Sequence, residues 1–112
     1  MKREDLLGLR TIDTLTVGDI SLRVRRWSGR SRLLFDSKAA EQQRTGGGDV
    51  SPLLSLVFAL SVVNDDGTPM FDPSECSVID DSIPGEVLLA VWDWACGANG
   101  LLKGGREDAQ KN

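Results

Sequence analysis

The chain contains no histidine and no tyrosine, only two cysteines, and no uninterrupted apolar stretch of membrane-spanning length. Each shortage closes off a class of function. Histidine is the commonest general acid–base near neutral pH, so its absence removes the Ser-His and Cys-His pairs that activate a nucleophile. Without it, a transition-metal site would rest on Cys76 and Cys96, far apart in sequence, and on carboxylates, which is a poor donor set. No enzyme activity, metal or cofactor is therefore expected. Two cysteines are also too few for a disulfide framework, and both read as small core hydrophobes in a reducing compartment. A membrane helix needs about 20 mostly apolar residues. The longest apolar run here, Leu53–Leu60, is interrupted by Ser55 and fits a buried element. The first residues, Met1-Lys2-Arg3-Glu4-Asp5-Leu6-Leu7, lack the apolar core of a secretory signal. The expected location is the cytoplasm in which the chain is made.

What is present suits a small globular domain. A length of 112 residues fits one domain with a thin core. Hydrophobic residues make up 40% and charged residues 27%, both ordinary values. The net charge of −4 is unevenly spread. Residues 1–44 hold ten Lys/Arg and six Asp/Glu, whereas residues 45–112 hold three and eleven. Such polarity can steer a basic face towards an acidic partner or another copy of the chain. Equally, the two halves can neutralise each other within one fold.

The lead-in, residues 1–12, carries Leu6, Leu7, Leu9 and Ile12, which could anchor it to the core. Leu15 and Val17 then alternate with Thr14 and Thr16. After Gly18-Asp19, Ile20, Leu22 and Val24 alternate with Ser21, Arg23 and Arg25. Period-2 patterning on both sides of a glycine-first turn predicts a type II′ hairpin. Ile20, Leu22 and Val24 should face the core, and Arg23 and Arg25 solvent or a partner. Ser28 or Ser31 can cap a one-sided helix over about 30–44. Thr45-Gly46-Gly47-Gly48-Asp49 breaks it, and the three glycines suggest a mobile hinge. Ser51-Pro52 starts a second helix, apolar nearly all round and so the most buried element. It could run to Val63; Asn64-Asp65-Asp66-Gly67 then makes a turn, leading to a short second hairpin or a bare loop. Asp72-Pro73-Ser74-Glu75 has the form of a capping box opening a short helix. Pro84 opens the last helix, to about residue 96, with Val87, Leu88, Val91, Trp92 and Ala95 on its apolar face and Gly97 or Gly100 as its stop. The fold class expected is α+β, an N-terminal β-hairpin packed against three to four helices. One domain should span 1–102, followed by a polar disordered tail, 103–112.

Few patterns carry chemistry. Gly46-Gly47-Gly48 lacks the Lys-Ser/Thr that follows a phosphate loop. Asp65, Asp66, Asp72, Asp80 and Asp81 lack the spacing and closing glutamate of a calcium loop, and turn chemistry explains them better. Arg23, Arg25, Arg26, Arg30 and Arg32 with Trp27 form the one basic patch. Overall acidity and the lack of a nucleic-acid motif favour a protein-binding surface, where Arg and Trp are preferred anchors, over nucleic acid. Trp92 and Trp94, two apart, cannot share a helix face, so Trp94 is a further candidate anchor.

Three stretches resemble the tail assembly chaperones of long-tailed, non-contractile phages and prophages. They are Ile20-Ser21-Leu22-Arg23-Val24-Arg25-Arg26-Trp27-Ser28-Gly29-Arg30, the apolar run Leu56–Val63 with the following Asn64-Asp65-Asp66-Gly67-Thr68-Pro69-Met70-Phe71, and the closing Ala98-Asn99-Gly100-Leu101. Together they cover about residues 15–102, and their order and spacing carry the likeness. The resemblance implies binding to the tape measure protein, keeping it soluble, and recruiting the major tail protein around it. It also implies work in the host cytoplasm without entering the finished virion. Many family members have a second, longer form made by ribosomal frameshifting, and Leu102-Lys103 or Lys111-Asn112 are places where a slippery codon pair would fit. The family offers no agreed functional residues to carry over. From the residues themselves, the partner-binding candidates are Arg23, Arg25, Trp27, Leu33, Leu34, Phe35 and Trp94. Trp27, Leu33, Leu34 and Phe35 would form the client surface beside the Gly46–Gly48 loop. The nearest rival reading is a structural head–tail adaptor; a regulatory DNA-associated protein and an enzyme stand behind it. Self-association is allowed by the charge polarity; neither a membrane nor nucleic acid is expected as a partner.

Overall fold

The computed structural model describes residues 1–46 and 51–101. Most of the glycine hinge and the tail 103–112 lie outside the described residues; Gly46 is the last residue of a helix.

A short helix α1 (Arg3–Leu7) precedes a hairpin of β1 (Ile12–Val17) and β2 (Ile20–Arg25). Helix α2 (Gly29–Gly46) follows, then α3 (Ser51–Ser61), β3 (Val62–Val63), a 3-10 turn at Pro73–Glu75, α4 (Cys76–Ser82) and α5 (Gly85–Asn99). The fold is α+β, as the alternation of the two periods predicts. The hairpin register pairs Val17 with Ile20 across Gly18-Asp19. Gly18 has φ +60° and Asp19 has negative φ, which fits a type II′ turn and rules out type I′. β2 is the central strand of an antiparallel sheet, order β1-β2-β3, with Val24 opposite Val62. The stretch after α3 is thus a short second hairpin, closed by a bridge from Val63 to Pro69, and α3 stops at Ser61 instead of running to Val63.

Local chemistry sets the helix ends. Ser28 Oγ accepts from the Ser31 N–H at 3.2 Å, so Ser28 caps α2. Asp72 accepts from the Ser74 N–H while Glu75 accepts from the Asp72 N–H, the capping box expected there. Gly100, at φ +68°, ends α5 by donating its N–H to Cys96 O.

The core forms where α3 meets α5, α4 and α2. α3 buries Leu53, Leu56, Val57, Phe58 and Ala59, and α5 buries Val87, Leu88, Val91 and Ala95. Val24 and Ile79 complete it. Two expectations about the periphery fail. Ile20 lies at the hairpin tip, beyond the part of β2 that β3 pairs with, and is exposed; burial rises along the strand through Leu22 to Val24. Leu6, Leu7 and Leu9 do not anchor the lead-in, because α1 is too short to present a stripe and buries none of its residues.

Candidate functional site

The structure divides the seven candidate residues. Leu33, Leu34 and Phe35 are consecutive on α2, about 100° apart around the axis, so only one can face inward. Phe35 does, on a stripe with half-buried Ala39 and Gln42 one and two turns on. Its ring lies 5.0 Å from Trp27 and 6.3 Å from Trp92. Trp27 is equally interior. Its indole Nε1 donates to Ser61 Oγ at 2.8 Å, and its backbone N–H donates to Asn99 Oδ1 at 2.9 Å. At 7% and 8% exposure, Trp27 and Phe35 belong to the core and not to an open surface. Trp94 is half-buried and packs against the core.

Leu33 and Leu34 remain outside, 71% and 42% exposed. Leu34 lines a groove of about 410 Å³ with Leu56, Cys76, Lys38 and Asp80, between α2, α3 and α4. Cys76, read as a core residue, is only half-buried there and donates to Pro73 O; Cys96 is buried.

The arginines also separate by role. Arg23 lies on the exposed face of the hairpin, held by Thr14 Oγ1 at 3.1 Å and Asp65 at 3.4 Å. Among the described residues this is the one ion pair joining the basic and acidic halves, so close pairing does not neutralise them. Arg25, expected to face solvent or a partner, is half-buried and acts as a clamp. Its Nε donates to Arg10 O at 2.7 Å and its Nη1 to Gly67 O at 3.2 Å. Arg10 returns the link, donating from Nε to Arg26 O at 2.7 Å. Burial, and then the Arg25 charge beside it, pull the Arg10 guanidinium below the usual arginine value. Arg32 donates to Asn99 O at 3.1 Å and pairs with Asp36 one turn on.

Arg10, Arg26 and Arg32 meet Leu6 and Leu9 around a groove of about 390 Å³ that Trp27 and Asn99 also line. Arg26 and Arg32 were in the basic patch legible in the sequence. Leu6, Leu9 and Arg10 were not attributed to a site. The available signal was three leucines in a lead-in too short to bury a helical stripe.

Asp72 and Asp66 serve local structure, Asp72 as the cap already described. Asp66 accepts from the Thr68 N–H and hydroxyl, at 3.0 and 2.6 Å, within the turn. Among the described residues no group of three or more Cys, Asp or Glu side chains is placed to hold a metal ion, and no helix is long and apolar enough to cross a membrane. No family model, curated protein or solved structure matches this chain.

Proposed function

We propose that this protein is a tail assembly chaperone of a long-tailed, non-contractile phage or prophage. In this reading it binds the tape measure protein in the host cytoplasm, keeps it soluble and helps recruit the major tail protein around it. One observation supports the binding role above others: Leu6, Leu7, Leu9 and Leu33 stand more than half exposed, with arginines among them. Lone exposed leucines are ordinary, but Leu6 and Leu9 line one charged groove, which is what an apolar client needs, with the charge providing solubility and release. The resemblance of three sequence stretches to that family suggests the particular client.

Co-expression with the tape measure protein encoded beside it tests the reading. The soluble, co-purifying fraction of tape measure should rise with this chain present. It should fall for Leu33→Asp and Leu34→Asp, whose side chains face outward and whose replacement leaves the core intact. Tape measure that stays insoluble with both this chain and any frameshifted longer form overturns the chaperone reading. Recovery of the chain in purified virions would favour the head–tail adaptor instead.

A further inference from the structure

We propose that the groove lined by Leu6, Leu9, Arg10, Arg26 and Arg32 receives an acidic, leucine-bearing segment of a partner protein. The inference rests on the reading that this chain binds proteins, and it specifies the chemistry of what is bound. Three arginines line the groove, and among the described residues no carboxylate does. Among the described residues Arg32 has an acidic partner, Asp36, whereas no carboxylate pairs with Arg10, Arg25 or Arg26. Within the groove, Arg10 and Arg26 are therefore like charges with no carboxylate paired to either, and a carboxylate arriving between them relieves their repulsion.

Two of the three guanidiniums are already oriented. Arg10 is tied to Arg26 O through one of its five N–H donors, and Arg32 to Asp36 and Asn99 O through two, so further donors stay available without reordering either side chain. Arg–carboxylate contact is the strong, often bidentate kind of hydrogen bond. The leucines decide the rest. Leu6 and Leu9 are 56% and 51% exposed beside those charges, and an inorganic anion would leave them uncovered. Single-stranded nucleic acid binds through aromatic platforms as well as cations. The one aromatic at this groove, Trp27, is buried, with its indole N–H committed to Ser61. An acidic segment with apolar side chains satisfies both features.

The test uses the full-length chain and a fluorescein-labelled peptide, Glu-Leu-Glu-Glu-Leu-Leu-Glu-Glu-Leu, followed by fluorescence anisotropy. The expected result is saturable binding that weakens as salt is raised. Arg26→Ala should weaken it about tenfold, the loss of one charge-assisted contact. Leu9→Ser should weaken it too. Arg30→Ala, a neighbouring exposed arginine outside the groove, should leave it unchanged, and circular dichroism should show all three variants folded. Equal binding of the peptide with glutamine in place of every glutamate overturns the proposal. So does equal weakening by Arg30→Ala, or tighter binding of an oligothymidylate than of the peptide. Loss of binding on a switch to a dimer, seen by sedimentation, assigns the groove to a second copy and overturns it as well. The chaperone reading fails separately: tape measure solubilised equally by the Arg26→Ala variant and the parent chain, which bears on the groove alone, is distinct from tape measure that neither solubilises.

Discussion

Helices α2 and α3 are neighbours in sequence and in space, yet they treat leucine in opposite ways. In α3, Leu53 and Leu56 are almost wholly removed from water; in α2, Leu33 is left in it. The side chain is the same and both backbones are helical. The difference lies in what surrounds each helix. α3 is packed by α2, α4 and α5, so most of its surface is covered, whereas α2 packs chiefly on α3 and buries one stripe. The two helices therefore differ in role: α3 holds the fold together, and the outer side of α2, with the lead-in, is left in water.

That contrast is most sharply tested at Phe58, buried in α3 with its ring 5.8 Å from Phe71. Phe58→Ala should cost about 3–5 kcal/mol in urea denaturation, cavity included. Leu33→Ala should cost no more than about 0.5 kcal/mol, as exposed positions do. Similar losses from both would mean that α2 is covered on its outer side, and the division would collapse. Next in size is the buried link between the regions, Trp27 Nε1 to Ser61 Oγ. Ser61→Ala strands an indole N–H in the core and should cost about 1–3 kcal/mol, measured in the same way.

Gly67 comes third. It has φ +91°, and an added Cβ would lie 2.9 Å from Arg25 Nη1 and 3.2 Å from Ile12 Cδ1. Arg25 can swing away, but the left-handed backbone itself costs roughly 1–2 kcal/mol for a side-chain-bearing residue. Gly67→Ala should lower stability by about that much and release the Arg25 clamp, visible as changed amide shifts at Arg10. The smallest effect is acidic. Hydrogen bonds to their charged forms hold Asp66 and Asp72 below their ordinary value of 3.8, the Thr68 and Ser74 side chains first and then their backbones. A lowered folded value stabilises the protein above that ordinary value, and the gain is lost as pH falls through the lower folded one. Stability should therefore dip slightly on acidification below about pH 4, and Asp72→Ala should flatten that dip in pH-dependent melting. Both groups are fully exposed, so the dip is small beside the core effects.

Much of this was legible before folding. The Gly18-Asp19 hairpin, the Asp72–Glu75 capping box, the all-round apolar helix and the inward face of α5 follow from rules that act over a few residues. Phe35 was in principle legible as well: Ala39 stands one turn on, a companion that neither Leu33 nor Leu34 has in line. The burial of Trp27 and Phe35 was not legible from residue type alone, because an aromatic beside arginine describes a core ring as well as an anchor. Arg25 escaped because its acceptor Gly67 O lies across the fold, in the turn after β3. The groove escaped because Leu6 and Arg32 meet only when the lead-in crosses the start of α2.

The sequence by itself determined where elements begin, turn and end, since capping, turn geometry and periodicity are local and each residue's neighbours along the chain suffice to set them. Only the tertiary structure decided which apolar side chains stay in water and which arginines lie together without counter-charge. Those outcomes depend on how many elements close around a given face, and α3, packed by three helices, consumes the covering surface that α1 and the outer face of α2 would need.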